Sequence, residues 1–497
     1  MITFCNPPFI YTKKNIVALK DHGGGIGYSK EGNRFKARKV PILDFLYGYK
    51  ILEIEGYKVK IADDQLDPSK DFDDFLDKYF FLSKSNIIFI RLSQPTLNND
   101  FEFAKFLKKK NSKAKLVAFG PVVQNNTKWF YRDKIFDYFI SSEIEAVIKD
   151  FTKKINEKFE NVDVNLPGIY SKIQNQYVCN EKESIKVDLQ SLPHLPYNLP
   201  EFKNYVKFAI SSRGCPIGCT YCPYILVQNK KFRFKTPAQV IEELSYYQEL
   251  GIKRITFRDP NFGHNNQRVQ DICKLYIDKK LKIEWDCETV LNTLKDETII
   301  LMSKANCKLV RVGIETVSPK LLELAKRPNK LADINIAKNK IALFKNHGTE
   351  VYGFFVIGFE GDKLEYIKVV PKVAKFLNLD RAQFMTPNLY PGIDQYSKAI
   401  ENNLIDNKTL NNLKLFSNII GNHANINFSL AKNIDVTTLH IGKKYCERLW
   451  YLLKNNKSKK ISIIQYIKYR FYILIAFFVL NNIKILKPIR SIISENK

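Results

Sequence analysis

Cysteine, acidic residues and long apolar runs are all scarce in this chain. It has nine irregularly spaced cysteines in 497 residues. Its first residues, MITFCNPPFIYTKKN, contain neither an apolar core nor a small-residue cleavage site. These features argue against a secretory signal and against a disulfide framework, so we expect a reducing, cytoplasmic environment. The apolar run FYILIAFFVL at 471–480 is too short for a membrane span, which needs about 20 residues.

The deficit of acidic residues leaves a large positive charge. The chain has 79 Lys and Arg against 51 Asp and Glu, a formal net charge of +28. Such a charge suits nucleic acid, an anionic lipid or a phosphorylated substrate, or is simply spread over all surfaces. The sequence shows no zinc-finger, RRM or KH signature, so nucleic acid is the least favoured partner. Residues 441–497 hold 13 Lys or Arg against two Glu, which leaves open both a buried terminal helix and a helix lying on an anionic membrane.

Alternating strands and helices predict an α/β chain in four parts. Residues 1–160 are predicted to form a doubly wound, Rossmann-like domain, and the proline-rich residues 161–204 a linker. Six βα units over 205–395 fit a partial (β/α)6 TIM-like barrel. Residues 396–497 are predicted to form a helical extension. Both kinds of parallel sheet place their ligands beyond the carboxyl ends of the strands.

Three cysteines follow the first strand of the predicted barrel. The segment RGCPIGCTYCPY (213–224) contains Cys215, Cys219 and Cys222 at the spacing C-x3-C-x2-C. Three thiolates at this spacing can hold one face of a [4Fe–4S] cluster. Since most such clusters take four cysteines, one iron is left open for another ligand. Structural zinc would normally need a fourth Cys or His. Zinc and a chance group of structural cysteines are the alternatives.

This motif, with an aromatic residue before its last cysteine, resembles that of radical S-adenosylmethionine (radical SAM) enzymes. The resemblance implies that the open iron binds the amino and carboxylate groups of SAM. An electron from the cluster then cleaves SAM to methionine and a 5′-deoxyadenosyl radical, which abstracts hydrogen. Further matches lie at three strand ends, in RDPN, GIET and VIGFEG. The SAM-binding residues that the resemblance implies are Tyr221, Asp259, Asn261, Gly313, Glu315 and Gly358. A salt bridge is the alternative role for Glu315, and simple packing that for Gly358.

A doubly wound domain before such a barrel is similar to the cobalamin-binding branch of the family. The similarity rests on NPP, a GGG loop, SQPTLNND and AFGP, all within residues 1–160. It implies that the corrinoid and its nucleotide tail are lined by Gly24, Gly25, Ser93, Thr96, Gly120 and Pro121. The family's GEPE-like segment stands here as SEIE at 142–145, and the sequence has no Asp-x-His-x-x-Gly motif for a lower axial histidine. A domain that only scaffolds the barrel is the alternative.

The resemblance as a whole implies a radical SAM enzyme, and the first domain favours a cobalamin-dependent methyltransferase acting on an unactivated carbon. In such a reaction the adenosyl radical removes hydrogen, methylcobalamin delivers the methyl group, and a second SAM restores methylcobalamin. No residue is assigned as catalytic, since the cofactors carry the hard step. The alternatives are a radical cyclisation, rearrangement or oxidation, and an Fe–S binding protein without catalysis.

The expected cofactors are a [4Fe–4S] cluster, SAM and cobalamin. The expected partners are a small-molecule or lipid-linked substrate and an electron donor such as flavodoxin or ferredoxin, with peripheral membrane contact through the tail. Four further cysteines are predicted to be buried apolar thiols: Cys273, Cys287, Cys307 and Cys446.

Overall fold

The structure contains two large sheets, one of seven strands and one of six, which confirms the predicted α/β class. It is a computed structural model that describes residues 1–8, 16–19, 28–31, 40–63, 65, 69–125, 133–157, 163–179, 183–326, 333–412, 429–455 and 463–481.

The amino-terminal part is built around a parallel sheet. The strands of this part are β1 (Ile2–Cys5), β2 (Ile16–Leu19), β3 (Tyr28–Glu31), β4 (Val59–Ala62), β5 (Ile87–Arg91), β6 (Lys115–Phe119), β7 (Tyr138–Ile140), β8 (Ile169–Ile173) and β9 (Gln176–Val178). Strands β2 and β3 form a separate antiparallel pair. The helices of this part are α1 (Leu43–Ile54), α2 (Phe72–Lys78), α3 (Leu97–Lys110), α4 (Pro121–Asn125) and α5 (Ile144–Asn156).

The order of the seven-stranded sheet is β4-β1-β5-β6-β7-β8-β9. Strands β1 and β5 are buried along their whole length, as expected for a sheet with helices on both faces. Phe4 stacks on Phe89 with ring centroids 5.2 Å apart, which joins these strands in one core. From β1 the chain passes to β4 on one side of β1 and later crosses back to β5 on the other side. The switch point of this doubly wound sheet therefore lies between β1 and β5, where such folds bind their ligands.

The segment predicted as a linker is partly sheet. Strands β8 and β9 lie within it and extend the first sheet from β7 in antiparallel fashion. Gln174 and Asn175 connect them with φ angles of +45° and +63°, the backbone of a two-residue hairpin turn. Residues 169–178 therefore belong structurally to the first sheet.

The second part is an open parallel sheet with the order β10-β13-β14-β15-β16-β17, as predicted for a partial barrel. Its strands, with a separate short pair β11–β12, are β10 (Phe208–Ala209), β11 (Ser212–Arg213), β12 (Arg233–Phe234), β13 (Arg254–Phe257), β14 (Glu284–Thr289), β15 (Cys307–Glu315), β16 (Glu350–Val356) and β17 (Arg381–Met385). Its helices are α6 (Tyr224–Gln228), α7 (Pro237–Glu249), α8 (Asn266–Asp278), α9 (Asp296–Lys304), α10 (Pro319–Leu324), α11 (Ile334–Asn346), α12 (Leu364–Phe376), α13 (Asp394–Glu401) and α14 (Asn407–Asn411).

Two long helices of the tail follow, α15 (Val436–Asn455) and α16 (Ile463–Asn481). Helix α15 packs against the barrel, where the Cys446 thiol lies 3.3 Å from the carbonyl oxygen of Ile367 on α12. In the part of the chain that the structure describes, no helix is both long and apolar enough to cross a membrane. Cys273, Cys287, Cys307 and Cys446 are all at most 1% exposed, which confirms that they are buried thiols.

Candidate active site

The cysteine loop occupies residues 214–232 and is closed at its base by two short antiparallel strands. In this pair, Ser212 lies opposite Phe234 and Arg213 opposite Arg233. Gly214 starts the loop at φ +85°, and a Cβ there would lie 2.0 Å from the carbonyl oxygen of Lys231. Only glycine fits this close approach, so the loop must leave β11 as a tight turn. The loop begins five residues beyond the end of β10, at the carboxyl end of the first barrel strand.

The three thiols differ in exposure. Cys219 is 5% exposed, whereas Cys215 and Cys222 are half-buried. Among the described residues, no three His, Cys, Asp or Glu side chains are grouped so that they could hold one metal ion. A [4Fe–4S] cluster does not require the three sulfur atoms to meet at a single metal ion, because each thiolate binds a different iron. The donor set therefore fits a cluster held on three corners better than it fits a zinc ion.

A buried ion network fixes the base of this loop to the first domain. Arg213 donates to Glu145 at 2.6 Å and lies 3.2 Å from Glu143, while Arg233 contacts Glu143 at 2.7 Å. The two acidic residues lie at the start of α5, beyond the carboxyl end of β7. Arg213, Glu143 and Glu145 have side chains no more than 6% exposed. Like charges directly opposite each other in a ladder repel, so Arg213 and Arg233 can face each other only because Glu143 lies between them.

The two carboxyls respond differently to burial. Burial alone would raise the pKa of Glu143, but Arg213 and Arg233 outweigh it, so its pKa lies below the usual range. Burial raises the pKa of Glu145, although Arg213 opposes this. Glu143 contacts two guanidinium groups, whereas Glu145 contacts one. In the sequence these glutamates are visible only as part of SEIE, and no motif there singles out either arginine.

An open cavity lies between the two parts of the molecule. The carboxyl ends of β6, β7 and β10 all reach it, and its wall includes Gly120, Pro121, Glu143, Glu145, Ile210 and Arg213. Gly120 has φ +110°, and a Cβ there would lie 3.0 Å from the carbonyl oxygen of Leu92. The glycine therefore allows the chain to turn closely past β5 at the edge of the cavity.

Asp259, a predicted SAM contact, is 0% exposed and fully engaged inside the protein. Its carboxylate accepts hydrogen bonds from the Ser211 N–H at 2.8 Å and from the hydroxyls of Ser211 and Ser212 at 2.6 Å each. Arg268 donates to the Ser211 carbonyl from the same side. Asp259 thus ties the end of β13 to the segment that leads into the cysteine loop. These contacts show Asp259 supporting the loop, and its direct contact with SAM stays a prediction.

Asn261 has the geometry expected of a ligand-binding residue. Its amide oxygen accepts from the Thr289 hydroxyl and the Val290 N–H, both at 3.1 Å. Its amide nitrogen is buried and has no hydrogen-bond partner among the described residues. An unmade hydrogen bond of this kind costs about 1–3 kcal/mol. A donor held in place by two bonds and left unused fits an acceptor supplied by a ligand such as SAM.

Glu315 stands at a strained point of β15. The pairing of β15 with β16 shifts register between Gly313 and Glu315, so one extra residue is inserted there. Glu315 adopts φ +67° and is 7% exposed. A left-handed conformation costs a residue with a side chain roughly 1–2 kcal/mol, and such strain clusters at functional sites. The bulge changes the direction of β15 at its carboxyl end, where Gly313 is half-buried. A buried and strained glutamate at this strand end fits the predicted ligand contact.

Gly358 and Tyr221 lie in a packed environment. Gly358 has φ +89°, and a Cβ there would lie 2.7 Å from Leu439 of α15. Its N–H donates to Asp362 at 2.7 Å. These contacts account for Gly358 by packing alone, while its SAM role stays a prediction. The Tyr221 ring lies 5.2 Å from that of Phe359, in an apolar cluster at the carboxyl ends of β16 and β17.

The predicted corrinoid contacts are only partly within the described residues. Gly24 and Gly25 lie outside them. Ser93 and Thr96 are buried after β5, where the Ser93 N–H and the Thr96 hydroxyl both donate to Asp100. At the neighbouring end of β1, the buried amide oxygen of Asn6 has no hydrogen-bond partner among the described residues. This unused acceptor at the switch point of the sheet fits a polar ligand such as a nucleotide tail.

Comparison with known sequences gives matches over the barrel and beyond it. Residues 209–370 match the family model of the Radical SAM superfamily. An uncharacterized methyltransferase of Pyrococcus horikoshii is 30% identical over 332 residues, which are 64% of this chain and 70% of that protein. Bacteriochlorophyllide d C-12(1)-methyltransferase of Chlorobaculum tepidum is 29% identical over 177 residues, 33% of this chain and 37% of that protein.

Two solved structures resemble the whole architecture. The radical S-adenosylmethionine methyltransferase TsrM from Kitasatospora setae, with cobalamin and a [4Fe–4S] cluster bound, has a TM-score of 0.63 at 15% identity and covers 81% of this chain and 78% of its own. The cobalamin-dependent S-adenosylmethionine radical enzyme OxsB has a TM-score of 0.66 at 14% identity and covers 99% of this chain and 74% of its own. At these identities the likeness shows a shared fold.

The ion network yields a prediction for cluster assembly. Glu143→Gln leaves two buried guanidinium groups facing each other with one carboxylate fewer, at a cost of about 3–5 kcal/mol. We expect anaerobically reconstituted protein to contain less iron per chain and to have a lower thermal midpoint. Glu249→Gln, an exposed glutamate on α7, is the matched control. Unchanged iron content and midpoint in Glu143→Gln would contradict the assigned role.

Asp362 yields a prediction for pH dependence. Burial raises its pKa to about 6, against an ordinary value of 3.8, although the N–H groups of Gly358 and Lys363 oppose this. Because the folded state binds the proton more tightly, this group adds stability as the pH falls from neutral towards 4, by about 3 kcal/mol in total.

Asp362→Asn removes this titration. We expect the thermal midpoint of the wild type to rise relative to that of the variant between about pH 7.5 and about pH 5. Asp278→Asn, at an exposed position of α8, should show no such relative change. A constant difference between wild type and Asp362→Asn across this range would refute the prediction.

Proposed function

The chain belongs to the radical SAM superfamily, and on that premise we propose that it is a cobalamin-dependent methyltransferase acting on an unactivated carbon of a small molecule. The observation that carries this proposal is the cavity between the two sheets. The carboxyl ends of β6 and β7 reach it from one side, and the residues that lead into the cysteine loop reach it from the other. A ligand of the first domain would thus lie next to the cluster loop of the barrel.

The known relatives support this proposal by analogy. The proteins from Pyrococcus horikoshii and Chlorobaculum tepidum are named methyltransferases. The structures of TsrM and OxsB were determined with cobalamin bound. The amino-terminal sheet of this chain has the doubly wound order in which ligands bind at the switch point. Gly24, Gly25, Ser93, Thr96, Gly120 and Pro121 are the proposed corrinoid contacts, to which we add Asn6.

When bound, the cluster and SAM would supply the radical that removes hydrogen, and a corrinoid would supply the methyl group. In our proposal Cys215, Cys219 and Cys222 bind the three irons, and their loop leaves the fourth without a cysteine. The amide nitrogen of Asn261 donates to SAM. The carboxylate of Glu315 accepts from a ligand hydroxyl, the charge-assisted kind of hydrogen bond.

The proposed partners follow from this chemistry. A small-molecule substrate and a source of electrons are consistent with a radical SAM enzyme. A flavodoxin or ferredoxin is the proposed donor. Contact of the carboxyl-terminal tail with a membrane stays a prediction that does not depend on the chemistry proposed here.

The proposed SAM contacts can be tested by binding alone. Asn261→Ala removes a hydrogen bond to a charged or polar ligand group, and Glu315→Gln replaces a carboxylate acceptor with a neutral amide oxygen. Hydrogen bonds to charged groups contribute about 1.5–3 kcal/mol, so we expect the Kd for SAM to rise roughly 10- to 100-fold. Glu315→Gly should weaken binding similarly at little cost to folding, because φ +67° suits glycine. Asn346→Ala and Glu323→Gln, both exposed, are the controls. SAM binding as tight as in the wild type would refute these assignments.

The reaction class can be tested on anaerobically reconstituted protein with SAM and a reductant. We expect bound corrinoid after growth with cobalamin, 5′-deoxyadenosine on reduction, and a methylated small molecule in extracts. Cys219→Ala should lose the deoxyadenosine. Deoxyadenosine without corrinoid or methylated product would favour a cyclisation, rearrangement or oxidation. A full cluster that never cleaves SAM would indicate a binding protein.

A further inference from the structure

Helix α16 exposes an apolar stripe along one side. Five of its side chains fall at the spacing i, i+3, i+7, i+10 and i+14, which places them on one helical face. Within the described part of the chain they are 57–81% exposed, far more than a typical apolar residue of a folded protein. They are Ile464, Ile467, Phe471, Leu474 and Phe478, here called the α16 stripe.

The opposite side of α16 is firmly docked. Ala476, Val479 and Leu480 are at most 2% exposed in the core shared with α15 and the barrel. The guanidinium of Arg448 on α15 lies 3.4 Å from the centre of the Tyr472 ring. The Lys368 ammonium on α12 donates to the Asn481 side chain at 2.6 Å. The helix is therefore held in place by the protein, with the α16 stripe facing outward.

The charges around the stripe have one sign. Helix α16 contains no Asp or Glu, and its two charged residues, Lys468 and Arg470, are both exposed. At 3.6 residues per turn they fall on opposite borders of the stripe. Residues 441–497 hold 13 Lys or Arg and two Glu in all. An apolar face bordered by cations is the pattern of a helix that lies in the headgroup region of an anionic bilayer.

We propose that the α16 stripe is a docking surface for an anionic lipid bilayer. The apolar side chains enter the boundary between headgroups and acyl chains, while Lys468 and Arg470 extend sideways to lipid phosphates. The helix lies in the plane of the interface and does not cross it, since its other side is packed on α15. A second copy of the chain fits less well, because a symmetric contact would bring the same cations against each other with no acidic residue of α16 to pair with them.

The test uses the full-length, reconstituted protein and flotation with two kinds of vesicle. One is phosphatidylcholine alone and the other is phosphatidylcholine mixed with phosphatidylglycerol. We expect wild-type protein to float with the mixed vesicles, to bind the neutral ones at least tenfold more weakly, and to dissociate as salt rises. Hydrogen exchange of residues 463–481 should slow when the mixed vesicles are added.

Two double variants separate the apolar contribution to vesicle binding from the ionic one. Phe471→Ser with Leu474→Ser should lower partition into mixed vesicles at least tenfold. Lys468→Gln with Arg470→Gln should remove most of the preference for anionic lipid. Phe80→Ser, an equally exposed phenylalanine of the first domain (62% exposed), is the matched control and should bind like the wild type. Unchanged iron content and far-UV circular dichroism show that each variant is folded.

Three outcomes would overturn the proposal. Wild-type protein that stays in solution with both vesicles would do so directly. A dimer that Phe471→Ser with Leu474→Ser converts to a monomer, without vesicle binding, would assign the stripe to a second copy. Vesicle binding that survives this double substitution, with no protection of residues 463–481, would place the lipid contact elsewhere.

Discussion

The buried contacts of Glu143 with Arg213 and Arg233 are the constraint on which this site depends. The cysteine loop begins and ends at two arginines that face each other across a two-residue ladder. Without an anion between them this ladder would be repulsive. This anion is Glu143, which lies at the start of α5 in the first domain, and Glu145 adds a second carboxylate. The geometry of the proposed cluster site is thus a property of both domains together, and the barrel alone does not determine it.

A second set of buried contacts supports the same loop from within the barrel. Asp259 accepts from Ser211 and Ser212, which precede the loop, and Arg268 donates to the Ser211 carbonyl. Asn261, two residues further, is held by β14 so that its amide nitrogen remains available. Two neighbouring residues after β13 thus differ in role: Asp259 holds the segment before the loop in place, and Asn261 keeps a donor available for a ligand. Spacing in the sequence does not distinguish these two roles.

Local signals predicted most of the fold. The barrel strands follow from apolar runs and turn residues, and the structure agrees with them. The β8–β9 hairpin was missed because its turn uses Gln174 and Asn175 in a backbone conformation usually signalled by glycine. The cysteine loop was evident from its spacing. The pairing of Arg213 with Glu145 was not, because 68 residues separate them and only the folded topology brings them together.

Gly358 and Leu439 lie against each other across the boundary between barrel and tail, since the leucine occupies the space that a Cβ at 358 would need. Gly358 also has φ +89°, so a larger side chain there would be strained even without α15. The backbone of this turn is therefore bare on the side that faces α15, and a leucine can rest directly on it. The tail is thus seated on the main chain of the barrel at this point, where no side-chain rotation can push it away.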